Sequence, residues 1–150
     1  MPRTPSDNHM KFPTLLASIV LTAVTAVAQT FPTCAFTSFT RPCGTDLAGS
    51  QIRGPGLQWD VTNAAPGSVA ILAIGQAMRQ PLPLPGTNCL LVVDPRLLLV
   101  APVDRGGNAE FVLRLPPIAP LSIDFQAVTV ALNRNGRTAE SSNAIEMRCR

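Results

Sequence analysis

Leu57-Gln58-Trp59-Asp60-Val61-Thr62 alternates without a break, with Leu57, Trp59 and Val61 on one face. A period of two marks a strand that buries one side. Working outward, Ala64-Ala65-Pro66-Gly67 reads as a turn. Ser68 to Ile74 is almost wholly apolar, as a strand covered on both faces would be, and Gly75 ends it. Gln80 to Gly86 reads Q-P-L-P-L-P-G, an extended connection whose prolines exclude it from a central strand. Cys89 to Val93 is a short strand stopped by Asp94-Pro95, and Leu97 to Val103 is another. Asp104-Arg105-Gly106-Gly107-Asn108 has the composition of a hairpin turn. Glu110 to Leu115 alternates, with Phe111, Leu113 and Leu115 on one side, until Pro116-Pro117.

Leu121 to Leu132 is the longest strand candidate. Its apolar phase shifts near Gln126, from Leu121, Ile123 and Phe125 to Val128, Val130 and Leu132. A bulge, or a strand that crosses between sheets, predicts such a shift. Asn135-Gly136 is a two-residue hairpin signal, and Asn143 to Cys149 supplies a last strand. Gln29 to Gly56 suggests one or two irregular edge strands held by disulfides. About seven or eight strands at spacings near ten residues predict an all-β chain, an antiparallel β-sandwich of Ig-like or jelly-roll-like type. A small closed barrel is the lesser alternative.

The N-terminus follows a different grammar. Met1 to Lys11 is polar and carries Arg3 and Lys11; Phe12 to Val27 is apolar apart from Ser and Thr. Ala26-Val27-Ala28 then offers a small-residue cleavage site before Gln29. This is the order of a secretory signal peptide. Its apolar core of about 13–16 residues falls short of the roughly 20 of a bilayer span. The expected organisation is therefore a helical signal peptide over 1–28 and one domain over 29–150, secreted or held at the cell surface. No further run of spanning length follows.

Removing residues 1–28 changes the available chemistry. It removes the single lysine, Lys11, and the single histidine, His9. Net charge becomes +2, from ten Arg against eight Asp or Glu, too weakly basic to argue for nucleic acid. Without histidine, Ser-His-Asp or Cys-His nucleophiles and histidine-ligated zinc are excluded. Without lysine, Schiff-base and Ser-Lys chemistry are excluded. No G-x-S-x-G, phosphate-binding loop or G-x-G-x-x-G occurs. The expectation is a non-enzyme without cofactor or metal.

The four cysteines, Cys34, Cys43, Cys89 and Cys149, all follow the cleavage site. An even count in an exported chain predicts two disulfides. Three pairings are open. Cys34–Cys149 with Cys43–Cys89 is placed first, although Cys34–Cys43 would close a short local loop just as legally. Spacings of nine, 46 and 60 hold no C-x-x-C pair, which argues against zinc.

Carboxylates remain for chemistry: Asp60, Asp94, Asp104, Glu110, Asp124, Glu140 and Glu146. Glycoside hydrolysis needs two of them around one cleft. The alternating phase puts Asp60 and Glu110 outward, Asp94 and Asp104 fall at turns, and Asp124 has polar neighbours at its phase. Each reads as solvated. Trp59 shares its phase with Leu57 and Val61 and reads as core rather than as a sugar platform. Asp104 to Asn108 has too few spaced acids for a calcium loop. The proline-rich segment reads as a connection rather than a polyproline ligand. Arg134, Arg137, Arg148 and Arg150 read as a solubilising edge, with a weak anionic contact as the alternative.

Several of these segments, taken in order, resemble a known group. They are Val61 to Gly75, Pro81 to Gly86 with Cys89 to Pro95, Asp104 to Ala109, Ile123 to Ala127, and Ser142-Asn143-Ala144. Together they resemble a family of uncharacterised exported β-domains of planctomycete-like bacteria, also found at the ends of larger surface proteins. The resemblance covers roughly 95 residues, a single domain's span. It implies an exported all-β module and brings no activity and no site residues. Phe125 stands where the family pattern leads one to expect Tyr or Leu. Cys34 and Cys149 are additions to that pattern. The function expected is a structural or adhesive module, its partner a cell-envelope polysaccharide or another surface protein. A carbohydrate-binding module is the alternative, and a small carboxylate-dependent glycoside hydrolase ranks below it.

Overall fold

A computed structural model describes residues 31–114, 120–133 and 136–150. The signal peptide expected over 1–28, Leu115 with Pro116-Pro117, and the residues Arg134 and Asn135 lie outside the described residues. Eight strands run in chain order: β1 (Cys34–Ser38), β2 (Asp46–Gln51), β3 (Gly56–Thr62), β4 (Val69–Pro83), β5 (Leu90–Pro102), β6 (Ala109–Arg114), β7 (Leu121–Asn133) and β8 (Gly136–Cys149). All pair antiparallel, in a five-stranded sheet ordered β1-β8-β7-β4-β5 and a three-stranded sheet ordered β2-β3-β6. The described chain holds no helix, and no helix there is long and apolar enough to cross a membrane. This is the two-sheet, all-β arrangement the strand spacing predicts.

The core lies between the sheets and follows the alternation. Leu57, Trp59 and Val61 of β3 and Phe111 of β6 face Ala70, Leu72 and Ile74 of β4. Phe125 and Ala127 of β7 and Ile145 and Met147 of β8 complete it. Trp59 is fully buried at the centre. Its indole stacks on Phe125 at 3.9 Å and meets Phe36 edge-on at 5.4 Å. Gly49 is the register partner of Trp59 on β2. A Cβ there would sit 2.6 Å from the indole and 2.7 Å from the Phe36 ring, so only glycine leaves both rings room.

Three expectations about strand limits are corrected. β4 does not stop at Gly75 but continues through the proline-rich segment to Pro83, pairing Leu82 with Leu91 and Pro83 with Leu90. Pairing of β4 with β7 ends at Gly75, so the prolines lie where one side of β4 is unpaired. Gly75 is needed at the bulge there, since a Cβ would fall 1.8 Å from the Asp94 carbonyl oxygen. β5 likewise runs through Asp94-Pro95 as one strand, which its place at the sheet edge permits. β8 begins at Gly136, seven residues before Asn143, because its first half pairs with β7.

The turn at Asp104–Asn108 is real, but it joins β5 of one sheet to β6 of the other and is not a hairpin. The irregularity expected near Gln126 is present: Gln126 pairs with Ala144 and Val128 with Ser141. Ser142 and Asn143 stand opposite the single Ala127, so the one extra residue is on β8. β7 keeps its phase, with Phe125, Ala127 and Thr129 all buried, and stays in one sheet. Val128, Val130 and Leu132 therefore remain on its outer face, and Leu132 is 79% exposed.

Candidate functional site

Of the candidate carboxylates, three meet at one place. Asp60 on β3 and Glu110 on β6 are direct register partners on the outer face of the three-stranded sheet. Asp104 lines the same shallow depression, of about 590 Å3, with Thr62, Pro102 and Asn108. Directly opposite like charges oppose each other by a fraction of a kcal/mol to about 1 kcal/mol. Among the described residues no aromatic side chain lines the depression. Asp60 accepts a hydrogen bond from Gln58 Nε2 at 2.9 Å. One Asp104 oxygen is engaged by its own turn, accepting the N–H groups of Gly106 and Asn108 at 2.8 Å each. This Asx-type turn fixes the loop and explains Asp at its first position.

A second pair forms on the outer face of the five-stranded sheet, where Asp124 lies opposite Glu146. Burial raises the Asp124 pKa, and the Glu146 charge raises it further. The Ala77 N–H, which donates to Asp124 at 2.6 Å, and the Arg148 charge act against that rise. Glu146 is held below its ordinary value, first by the hydrogen bond from Arg148 Nε at 2.6 Å and also by the one from Ser122. The remaining candidates are dispersed. Asp94 pairs with exposed Arg96 at 3.1 Å. Glu140 accepts from Thr45 at 3.5 Å, with Thr129 bonded to Thr45. Among the described residues no three His, Cys, Asp or Glu side chains gather closely enough to hold a metal ion.

The cysteines pair as Cys34–Cys149 and Cys43–Cys89, and none of the described cysteines is free. Cys34 and Cys149 are register partners on β1 and β8, so this bridge ties the two ends of the domain across one sheet edge. Cys43–Cys89 fastens the β4–β5 hairpin to the segment before β2. Beneath that hairpin lies a polar arrangement the sequence did not reveal. Met78 to Pro81 bulge away from β5, so Val92 N–H donates to Gln126 Oε1 at 2.8 Å instead of to β4. Gln126 Nε2 donates to the Leu90 and Ser142 carbonyls at 3.0 and 3.1 Å. Asn143 does the same for β2: its side chain accepts from Leu47 N–H at 2.8 Å and donates to Leu47 O at 3.0 Å. These amides replace missing strand partners for buried backbone. The sequence signal was the phase change at Gln126; Ser142-Asn143 does not stand out in a strand whose first half is already polar. A cleft of about 250 Å3 opens beside the Cys43–Cys89 bridge, lined by Arg41, Asn88, Gln126 and Ser141 among others.

No family model, curated protein or solved structure matches the chain.

Proposed function

We propose that the chain is an exported, non-catalytic β-sandwich module with a structural or adhesive role at the cell surface or outside the cell. The observation that carries the reading is the pair of disulfides closing sequence separations of 115 and 46 residues. Such bonds persist in oxidising compartments. Residues 29–150 lack histidine and lysine and have their cysteines in disulfides, so an imidazole base, an amine nucleophile and a thiol nucleophile are missing. Cleavage after Ala28 would deliver the chain, consistent with the resemblance to exported planctomycete-like β-domains.

A second reading, glycan binding, is favoured by the depression where Asp60, Asp104 and Glu110 meet. Carboxylates accept hydrogen bonds from sugar hydroxyls readily, but no aromatic platform stands there among the described residues. Hydrolysis at the same place is the weaker form of this reading, since Asp104 and Glu110 are exposed. A glycan array on protein recovered from its natural compartment tests the choice. The proposal expects no glycan bound at micromolar affinity. Binding that is lost in Asp60→Asn with Glu110→Gln would replace it with the glycan reading.

A further inference from the structure

Four strands border the two sheets, and one of them differs from the rest. β1 ends in Thr37-Ser38 and is bridged at Cys34; β2 carries Asp46, Ser50 and Gln51; β6 has Glu110 and Arg114 at its ends. β5 borders the five-stranded sheet with Leu97-Leu98-Leu99-Val100-Ala101, five residues without a polar side chain. Leu97, Leu98 and Val100 are 51%, 53% and 66% exposed. Natural edges are usually blunted by charge, proline or bulge. Here those devices stand only outside the run, as Pro95-Arg96 before it and Pro102 after it.

The register fixes which backbone groups are free. Val103 N–H donates to Ser68 O on the β4 side. In an antiparallel ladder the direction alternates residue by residue. Leu97, Leu99 and Ala101, paired with Ile74, Leu72 and Ala70, therefore bond to β4. Leu98 and Val100 point both N–H and C=O away from the sheet. Pro102 also points outward, where its missing N–H would be needed, and so closes the window. What fits is a strand offering two outward residues, spaced by one, with apolar side chains on both faces. The run itself meets that description.

We propose that β5 is a self-association edge. Two copies of the chain pair antiparallel about a two-fold axis at Leu99. Leu98 of each copy then exchanges hydrogen bonds with Val100 of the other, and Leu97 packs beside the small Ala101 of the second copy. Two other centres are poorer. A centre at Val100 places Leu98 against proline, and a centre at Leu97 places Val100 against Asp94. The centre at Leu99 matches Leu98 to Val100 on one face and Leu97 to Ala101 on the other, where the two Leu99 side chains meet at the axis. It sets Arg96, ion-paired with its own Asp94, opposite Pro102 of the second copy, and Asp94 opposite that copy's Asp104, so the match rests on the apolar run and not on charge. The two sheets of five strands become one continuous sheet. Closed two-fold pairing consumes both edges and stops at two copies.

The experiment is sedimentation velocity on the chain as recovered from its host, over about 5–500 µM, a range that brackets weak specific dimers. A monomer–dimer equilibrium is expected. Val100→Lys should leave monomer across that range with its melting temperature unchanged at low concentration. Leu132→Lys, on the same sheet face but far from the edge, should leave the dimer intact. In the unaltered protein, amide exchange at Leu98 and Val100 should slow about tenfold or more as concentration rises. Leu97, Leu99 and Ala101 should be protected throughout. Monomer at every concentration overturns the proposal, as does a dimer indifferent to Val100→Lys. A dimer dissolved by Leu132→Lys, or one without concentration-dependent protection at Leu98 and Val100, overturns it too.

Discussion

Gly49→Ala should destabilise the protein, against the usual sign of that substitution. Gly49 has no positive φ, and replacing such a glycine generally stabilises by about 0.4–1 kcal/mol through the unfolded state. Here the added methyl carbon would meet Trp59 Cζ3 at 2.6 Å, Phe36 Cδ1 at 2.7 Å and Trp59 Cη2 at 2.9 Å. The indole has little room to shift, because Phe125 is stacked on it at 3.9 Å and Phe36 meets it edge-on. Overpacking a closed core costs about 1–3 kcal/mol. With two rings to displace, the upper half of that range applies, and the backbone gain leaves a net loss of about 1–2 kcal/mol. For a domain of this size the melting temperature should fall by about 4–10 °C. Thermal unfolding followed by far-ultraviolet circular dichroism reads it directly. A Phe36→Leu change should relieve part of the loss, giving a coupling of at least about 0.5 kcal/mol in a double-mutant cycle. An unchanged or raised melting temperature in Gly49→Ala would refute the packing of Gly49 against Trp59.

Asn143→Ala removes both bonds to Leu47 and leaves two buried backbone groups unpaired, so a loss of about 2–4 kcal/mol is expected in urea unfolding. Opening Cys34–Cys149 by Cys→Ser changes at both positions should cost about 2–5 kcal/mol, and the melt under reducing conditions should show a fall of at least that size, since both bridges are then lost. For Asp124 the folded-state pKa is raised, chiefly by burial, so folding binds its proton more tightly than the unfolded chain does. Its contribution therefore grows as pH falls from neutral towards about 4, the ordinary aspartate range. Glu146 acts in the opposite sense: its lowered pKa gives stability at neutral pH that is lost as pH falls through the folded value. Asp124→Asn can still accept the Ala77 N–H. It should therefore match or exceed the parent at pH 7 and lose ground to it towards pH 4, measured by unfolding at each pH.

The parts of the fold that could be read in the sequence share one property: a single buried face. β3 and β6 alternate because their outer faces meet water, and Leu57, Trp59, Val61, Phe111 and Leu113 point inward as their phase predicts. The turns at Ala64–Gly67 and Asp104–Asn108 are carried by local chemistry, with Gly67 and Gly107 both at positive φ. The continuity of β4 and β5 was hidden, because Pro81, Pro83 and Pro95 signal a stop unless the unpaired sides of those strands are known. That information is a property of the sheet order. At Gln126 the phase argument located the irregularity and misassigned it. The residue points outward yet is buried under the β4–β5 hairpin, and the extra residue belongs to β8. The meeting of Asp60 with Glu110 depends on the β3–β6 register, a pairing between segments some fifty residues apart. Each residue's outward direction could be read locally; their adjacency could not.

The central claim is an exported chain locked by two particular disulfides. Its most direct test is mass spectrometry, without reduction, of protein recovered from outside its host cell. The expected chain begins at Gln29, with no thiol available to alkylation after denaturation. Its peptide map should join Cys34 to Cys149 and Cys43 to Cys89. A chain found only inside the cell, still beginning at Met1 and with four alkylated cysteines, would contradict it.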